Sequence, residues 1–251
     1  MRRREFIAGL GSAAAWTINQ EVSKVIHLHA FAPLWGLVDI SPFVTKVDVY
    51  LRLTKLPYKL VPFSMASFAS APKGKLPYIV DGEERIADSN FIIDHLKKNH
   101  GDPLDANLNP TERATGHAIK RMLEENFYWV IVTERWRDTK TAVEQYPVMV
   151  GQPPEFVNAV VDGMLGELRG HGMGRHSAGE VENIGKADLI ALSDFLGETP
   201  YLLGEEPTSY DATAYSFVAH IIQPEYDSEM KRFIETLPNL MQYWDRLKSR
   251  L

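Results

Sequence analysis

Residues 72–89 have the sequence PKGKLPYIVDGEERIADS, which predicts three consecutive elements of the fold. Its apolar run at residues 76–80 predicts a β-strand, and Asp81-Gly82 predicts a hairpin turn into a short strand at residues 85–87. Asp88 and Ser89 then supply the side-chain oxygens that are typical of a helix start. The stretch therefore predicts a hairpin that is followed directly by a helix.

The residues before this stretch predict two more strands and a helix between them. Residues 25–31 and 58–63 are short β-prone runs. Ser41-Pro42 pairs a hydroxyl cap with a proline at the first helical position, and the apolar face that follows continues to about Thr54. Residues 65–75 are rich in Ser and Ala and are expected to form a loop or an irregular helix. The predicted order is β-α-β, an irregular segment, and β-β-α.

The chain after Gly101 is predicted to be helical. Residues 102–108 are typical of a linker. Helix starts marked by capping residues or prolines follow at residues 109–112, 154, 177–180, 208–211 and 237–238. The sequence thus predicts an α/β domain at residues 24–102 and an all-α domain at residues 109–251.

Composition excludes several kinds of chemistry. The 251 residues contain no cysteine, which excludes disulfides, iron–sulfur clusters, thiolate zinc sites and a cysteine nucleophile on the protein. The net charge of −6 disfavours a nucleic-acid partner. His27 and His29 alternate on one strand face, but no carboxylate has a suitable spacing, so no metal site is predicted.

Residues 1–23 are predicted to be a leader or a disordered tail. Arg2, Arg3 and Arg4 precede an apolar stretch at residues 6–16, which is shorter than the roughly 20 residues that a membrane span needs. Residues 3–7 resemble a twin-arginine export signal, and the alternative is a start-site extension that carries no address. We expect a cytoplasmic protein without a membrane span, with export as the alternative.

The order of elements and four local motifs resemble the glutathione transferases, which join a thioredoxin-like N-terminal domain to a helical C-terminal domain. Ser41-Pro42-Phe43-Val44 resembles the start of the first helix in the serine-type plant enzymes. Lys75-Leu76-Pro77 resembles the segment before their third strand, and Asp88-Ser89 resembles their acidic-Ser pair. Thr208 with Asp211 resembles the capping box of the sixth helix of that fold.

Further motifs resemble the metaxin-like branch that includes the failed axon connections proteins. They lie at residues 72–77, 86–89, 126–129, 135–136, 174–176 and 191–197. Two features depart from the plant enzymes. The loop at residues 33–40 is longer, and Val44 stands where close relatives often carry a cysteine. A mixed disulfide on the protein is therefore excluded.

The resemblance implies roles for the first two motifs. Ser41 would donate its hydroxyl hydrogen to the sulfur of glutathione, and the alternative is that it only caps its helix. The Leu76–Pro77 peptide bond would be cis, and the N–H and C=O of Leu76 would pair with the cysteinyl backbone of glutathione. Lys75 would meet the glycyl carboxylate, or it would be a solvated surface lysine.

The resemblance also implies a site for the γ-glutamyl end and a pocket for a second substrate. Ser89 would bind the γ-glutamyl carboxylate and Asp88 its ammonium group, unless both only cap the helix. Trp35, Tyr128 and Trp136 would line the pocket, unless they are core residues.

The implied function is conjugation of glutathione, as co-substrate, to a small hydrophobic electrophile, or reduction of such a substrate, by a homodimer without metal. The alternative from another class is a non-catalytic, metaxin-like binding or scaffold protein of the same fold.

Overall fold

The computed structural model describes residues 25–136 and 138–251, so the predicted leader at residues 1–23 lies outside the described residues. The N-terminal part alternates strands and helices, as predicted. Its elements are β1 (Ile26–His29), α1 (Pro42–Leu53), β2 (Tyr58–Val61), α2 (Met65–Ala69), β3 (Tyr78–Asp81), β4 (Glu84–Ala87) and α3 (Ser89–His100).

The four strands form one mixed sheet in the order β2-β1-β3-β4. Strand β1 is parallel to β2, with Leu28 opposite Leu60, and antiparallel to β3, where Leu28 lies opposite Ile79. Strands β3 and β4 form the predicted hairpin, whose turn contains Gly82 at a φ of +64°. This arrangement confirms the predicted thioredoxin-like fold.

The C-terminal part is helical. Its elements are α4 (Pro110–Arg121), a π-helical turn (Met122–Phe127), α5 (Tyr128–Trp136), α6 (Thr139–Gln145), α7 (Pro154–His171), a 3₁₀ turn (Met173–Arg175), α8 (Ala178–Leu196), α9 (Ser209–Ile222), α10 (Glu229–Ile234) and α11 (Pro238–Lys248). Sequence analysis missed α6 and α10, because each is only about two turns long and shows too little periodicity to stand out.

The predicted capping boxes are present, and the capping box of α9 also forms hydrogen bonds to other elements. The Asp211 carboxylate accepts the backbone N–H groups of Thr208 at 2.7 Å and of Leu202 at 2.9 Å, and the Tyr243 hydroxyl at 3.0 Å. Burial raises the pKa of Asp211. One carboxylate thus joins α9, α11 and the loop before α9.

Helix α1 is largely buried and packs along α9, which brings the two parts of the chain together at the N-terminus of α1. The Phe43 ring packs edge-on against Phe217 of α9, with ring centres 5.8 Å apart, and lies 4.9 Å from the ring of Tyr128 on α5. Polar residues of α1 are buried as well, including Thr45 and Lys46. They must therefore find their partners inside the protein.

One predicted core residue is on the surface. The sequence predicts that the apolar face of α3 holds Phe91, Ile92 and Leu96. In the structure, 57% of Phe91 is exposed and Ile93 is buried instead. The ring of Phe91 lies under the Lys73 ammonium, whose nitrogen is 4.3 Å from the ring centre. The helix is therefore rotated so that Ile92 and Ile93 are both buried and Phe91 lies on the exposed side.

Replacing Gly116 of α4 with alanine is expected to lower the free energy of unfolding by about 1–3 kcal/mol. A Cβ at this position would lie 2.5 Å from a ring carbon of Tyr210, where α4 meets α9. Urea unfolding measures the change. The matched control is Gly166→Ala on α7, where a Cβ meets nothing within 4 Å. That variant should gain up to about 1 kcal/mol from helix propensity. Equal effects at the two sites would contradict the expectation.

Candidate functional site

The largest cavity of the site, about 580 Å³, lies where the two parts of the chain meet. We call it the apolar cavity, since most of its wall is aromatic or aliphatic. Its wall includes Phe31, Phe43, Phe63, Tyr128, Trp136 and Met164. One side is formed by α7, from Phe156 to Glu167. Ser41 and Arg135 are among the few polar residues in this wall.

Ser41 occupies the N-cap position of α1, but its side chain makes no capping hydrogen bond to the helix within the described residues. Its backbone N–H donates to Oδ1 of Asp39 at 2.8 Å. The residue is half-buried and lines the apolar cavity. The Ser41 hydroxyl is thus not used to cap α1, and its role toward the sulfur of glutathione stays a prediction.

Asp39 is a site residue that sequence analysis missed. Its carboxylate is fully buried and accepts the N–H of Phe31 at 2.6 Å and that of Ser41 at 2.8 Å. Burial raises the pKa of Asp39 to about 7, although these N–H donors and the nearby Arg135 favour the ionised form. Nothing local marks an aspartate in a loop as buried, so no sequence signal could have found it.

The pKa of Asp39 predicts a pH-dependent stability. It lies at about 7 in the folded protein and at about 3.8 when unfolded, so the folded state alone binds this proton between those values. The free energy of unfolding should therefore fall as pH rises from about 4 to about 7, by up to about 1.4 kcal/mol per pH unit from this group. Above that range the contribution is constant.

Urea unfolding of Asp39→Asn across this pH range tests the expectation. The variant should lose the Asp39 part of the slope, whatever its absolute stability. Asp188→Asn is the matched control. Burial raises the pKa of Asp188 to about 6, so the part of the stability slope that this variant loses should end nearer pH 6. If the free energy of unfolding changes with pH in the same way in wild type and in Asp39→Asn, the expectation for Asp39 is wrong.

A second cavity of about 240 Å³ adjoins the first, and we call it the polar cavity. It is lined by Lys75, Leu76, Pro77, Asp88 and Ser89, so the structure brings together the two motifs that the resemblance assigned to glutathione. The Leu76–Pro77 peptide bond is cis, which confirms that expectation.

Ser89 is only 4% exposed, and its hydroxyl oxygen lies 3.2 Å from the Lys46 ammonium. Lys46 is fully buried and donates also to Asn90 Oδ1 at 2.7 Å and to Glu124 Oε1 at 2.5 Å. Burial lowers the pKa of Lys46, while Glu124 opposes that shift. Since Lys46 occupies the oxygen of Ser89 as an acceptor, the hydroxyl hydrogen stays available for an acceptor in the polar cavity.

Asp88 and Lys75 have protein partners of their own. Asp88 caps α3, since its carboxylate accepts the N–H of Asn90 at 2.9 Å. The Lys75 ammonium lies 3.2 Å from Glu167 of α7, and both side chains are exposed. Asp88 is thus a helix cap at the edge of the polar cavity, and Lys75 links the β3 side of the apolar cavity to its α7 side.

Comparison with protein families agrees with this geometry. A model described as the glutathione S-transferase N-terminal domain matches residues 42–141, and one described as the C-terminal domain matches residues 185–247. The chain is 37% identical over 235 residues to an isoprene-epoxide–glutathione S-transferase of Rhodococcus sp. (strain AD45), with 90% of this chain and 98% of that protein covered. The chain belongs to the glutathione S-transferase family.

This chain is also similar to proteins of the metaxin-like branch, as the motifs predicted. Failed axon connections of Drosophila melanogaster is 31% identical, with 90% of this chain and 58% of that protein covered. Human Metaxin-1 is 26% identical, with 92% and 53% covered. The chain thus spans little more than half the length of these two proteins.

Solved structures show the same fold at lower identity. A glutathione S-transferase from Methylobacterium radiotolerans, in complex with glutathione sulfonate, has a TM-score of 0.60 at 20% identity and covers 90% of this chain and 91% of that one. The β-etherase LigF from Sphingobium sp. strain SYK-6 has a TM-score of 0.67 at 16% identity, with 90% and 95% covered.

The three predicted pocket aromatics do not lie together. Tyr128 and Trp136 line the apolar cavity of this transferase-family chain, but Trp35 lines a separate cavity of about 380 Å³. Trp35 has a φ of +54°, and its ring lies 5.3 Å from that of Tyr226 and 5.5 Å from the Arg135 guanidinium. Trp35 is therefore not part of the wall of the apolar cavity, and its place in an acceptor pocket stays a prediction.

The described residues hold no group of three or more His, Asp or Glu side chains placed to bind a metal ion. Within the same residues, no helix is both long and apolar enough to cross a bilayer.

Proposed function

We propose that this protein conjugates glutathione to a small hydrophobic electrophile, and that Ser41 stabilises the glutathione thiolate. The observation that carries the proposal is the Ser41 hydroxyl, which lines the apolar cavity and is not used to cap its own helix. Two neighbouring cavities, one polar and one apolar, suit a tripeptide and a hydrophobic acceptor respectively. The similarity to an isoprene-epoxide–glutathione S-transferase supports this reading.

The polar cavity would hold the tripeptide. The Ser89 hydroxyl, which is backed by the buried Lys46 ammonium, would donate to the γ-glutamyl carboxylate. Leu76 would pair with the cysteinyl main chain through its backbone. Lys75 would exchange Glu167 for the glycyl carboxylate, because an exposed ion pair is worth less than about 1 kcal/mol and is easily replaced.

Thiolate formation is the step that the protein must assist. A free thiol has a pKa of about 8.5, and lowering it by two units requires about 2.7 kcal/mol of preferential stabilisation of the anion. A hydrogen bond to a charged acceptor contributes about 1.5–3 kcal/mol, so the Ser41 hydroxyl supplies much of this amount. The N-terminus of α1 adds a smaller favourable field.

The proposed conjugation needs no reagent other than glutathione, the acceptor and solvent. The thiol proton leaves to solvent, and the sulfur forms a bond to the electrophilic carbon of the acceptor. If the acceptor is an epoxide, the carbon–oxygen bond breaks and the oxygen takes up a proton. Burial raises the pKa of Tyr128 to about 12, so its hydroxyl keeps its proton and stays a hydrogen-bond donor in the apolar cavity.

A non-catalytic binding or scaffold function is the second candidate, since the metaxins and Failed axon connections are similar along most of this chain. We also propose that the protein forms a homodimer, that it is cytoplasmic and that its role is the detoxification of electrophiles. Export is the alternative to a cytoplasmic location.

Calorimetric titration tests the proposal. Wild type should bind glutathione, and it should bind the dipeptide cysteinylglycine much more weakly, because the dipeptide lacks the γ-glutamyl group that Ser89 would hold. Consumption of a small epoxide with glutathione should then be measurable. If wild type binds neither peptide, both the catalytic and the glutathione-binding proposals fail. If it binds glutathione but consumes no electrophile, the scaffold function is favoured.

A further inference from the structure

Arg135 of α5 contacts the main chain directly before Ser41. Its Nη1 donates to the carbonyl oxygen of Ile40 at 2.7 Å, across 95 residues of sequence. Its Nη2 lies 2.7 Å from Nδ1 of His220 on α9. The guanidinium therefore connects the turn that carries Ser41 to two helices of the C-terminal part.

His220 is fully buried, and its neighbours fix which ring nitrogen carries the proton. Because Arg135 can only donate, Nδ1 must be the acceptor, and Nε2–H then donates to the Thr45 hydroxyl oxygen at 3.0 Å. Burial and, second, the charge of Arg135 hold the pKa of His220 well below its usual value. The ring is therefore a neutral spacer of fixed orientation.

These contacts hold the main chain of Ser41 on both sides. Thr45 donates its backbone N–H to the Ser41 carbonyl at 3.1 Å, and Asp39 accepts the Ser41 N–H at 2.8 Å. We call Asp39, Arg135 and His220 the anchor cluster. Since the Ser41 hydroxyl makes no bond to its own helix, its direction depends on the backbone that this cluster fixes.

We propose that Arg135 and His220 are positioning residues that orient the Ser41 hydroxyl toward the sulfur of glutathione. The inference rests on the proposed function of Ser41 and goes beyond it, since it makes thiol activation depend on the helical domain. Arg135 also lines the apolar cavity, so a direct effect of its charge on the thiolate is the competing explanation. The two explanations differ in whether Arg135 acts through Ser41.

The experiment measures the pKa of enzyme-bound glutathione from the ultraviolet absorbance of its thiolate, and the glutathione Kd by calorimetry. Arg135→Lys keeps the charge but offers one nitrogen in place of the two that hold Ile40 and His220. We expect its bound thiol to have a pKa about one unit higher, a tenfold loss of thiolate at low pH, with Kd within about twofold. Arg246→Lys is the matched control. Arg246 lies on α11 and also donates to a main-chain carbonyl, that of Pro200 at 2.8 Å.

A second pair of variants keeps the test decisive if Arg135→Lys does not fold. His220→Asn retains an acceptor near Nδ1 for Arg135, whereas His220→Leu removes it at similar volume. We expect His220→Asn to stay close to wild type and His220→Leu to raise the bound thiol pKa.

The same substitutions in a Ser41→Ala background separate positioning from charge. If Arg135 and His220 act through Ser41, Arg135→Lys and His220→Leu should produce no further change in that background. An equal shift with and without Ser41, or no shift in any single variant, would overturn the inference while leaving the proposed function intact. Failure of wild type to bind or ionise glutathione would instead remove the proposed function.

Discussion

Replacing Ser41 with alanine is expected to lower kcat/KM for conjugation about 10- to 100-fold, which corresponds to the loss of one hydrogen bond to a charged sulfur. Glutathione affinity should change by less than about twofold, because the proposal places most of the tripeptide in the polar cavity. The pKa of the bound thiol should rise toward its value in solution. Steady-state kinetics with an epoxide and a pH titration of the bound thiolate measure both effects.

Ser177→Ala is the matched control for this variant. Ser177 caps α8 and accepts the N–H of Glu180, so its loss should cost about 1 kcal/mol of stability with unchanged kcat/KM. Ser41 makes no such capping bond, and Ser41→Ala should unfold within about 0.5 kcal/mol of wild type. If Ser41→Ala loses stability but keeps its activity, Ser41 is structural and the catalytic proposal is wrong.

Lys46→Met is expected to lower the free energy of unfolding by about 3–5 kcal/mol, since it leaves the buried carboxylate of Glu124 without its cation. The side chains of the pair are 1% and 2% exposed, and their charged atoms lie 2.5 Å apart. Urea unfolding followed by circular dichroism measures the change. Glutathione binding should weaken as well, because the ammonium under the Ser89 hydroxyl is lost.

The double variant Lys46→Met/Glu124→Leu separates charge from packing. With both charges replaced by apolar groups of similar volume, most of the stability should return. Glutathione affinity should not return, because the ammonium behind Ser89 is still missing. If the double variant loses as much stability as Lys46→Met and Glu124→Leu lose together, the two residues are not coupled and the account of this ion pair is wrong.

Local patterns in the sequence predicted the element order well. The hairpin at Asp81-Gly82, the capping boxes at Asn109, Ser177 and Thr208, and the proline-led start of α1 are all present. Each depends on backbone geometry and hydrogen bonds within about four residues of sequence. Such interactions can be recognised without knowing where the rest of the chain lies.

The motif residues Ser41, Leu76, Pro77 and Ser89 line two adjoining cavities, and their roles toward glutathione stay predictions. The sequence did not determine which way side chains face. Trp35 lines a different cavity from Tyr128 and Trp136, and Phe91 is exposed. Neither could be predicted, because a turn with positive φ and a rotation of a helix about its axis leave the apolar pattern of the sequence nearly unchanged.

Sequence patterns alone were enough to predict the family, the order of most strands and helices, and a serine at the start of α1. The contacts that hold this serine and support the wall of the polar cavity form only in the folded chain. Lys46 meets Glu124 across 78 residues, Arg135 meets Ile40 across 95, and His220 meets Thr45 across 175. These contacts arise because α1 packs along α9 and is largely buried, so its polar groups must form hydrogen bonds with the groups that lie beside them in the fold.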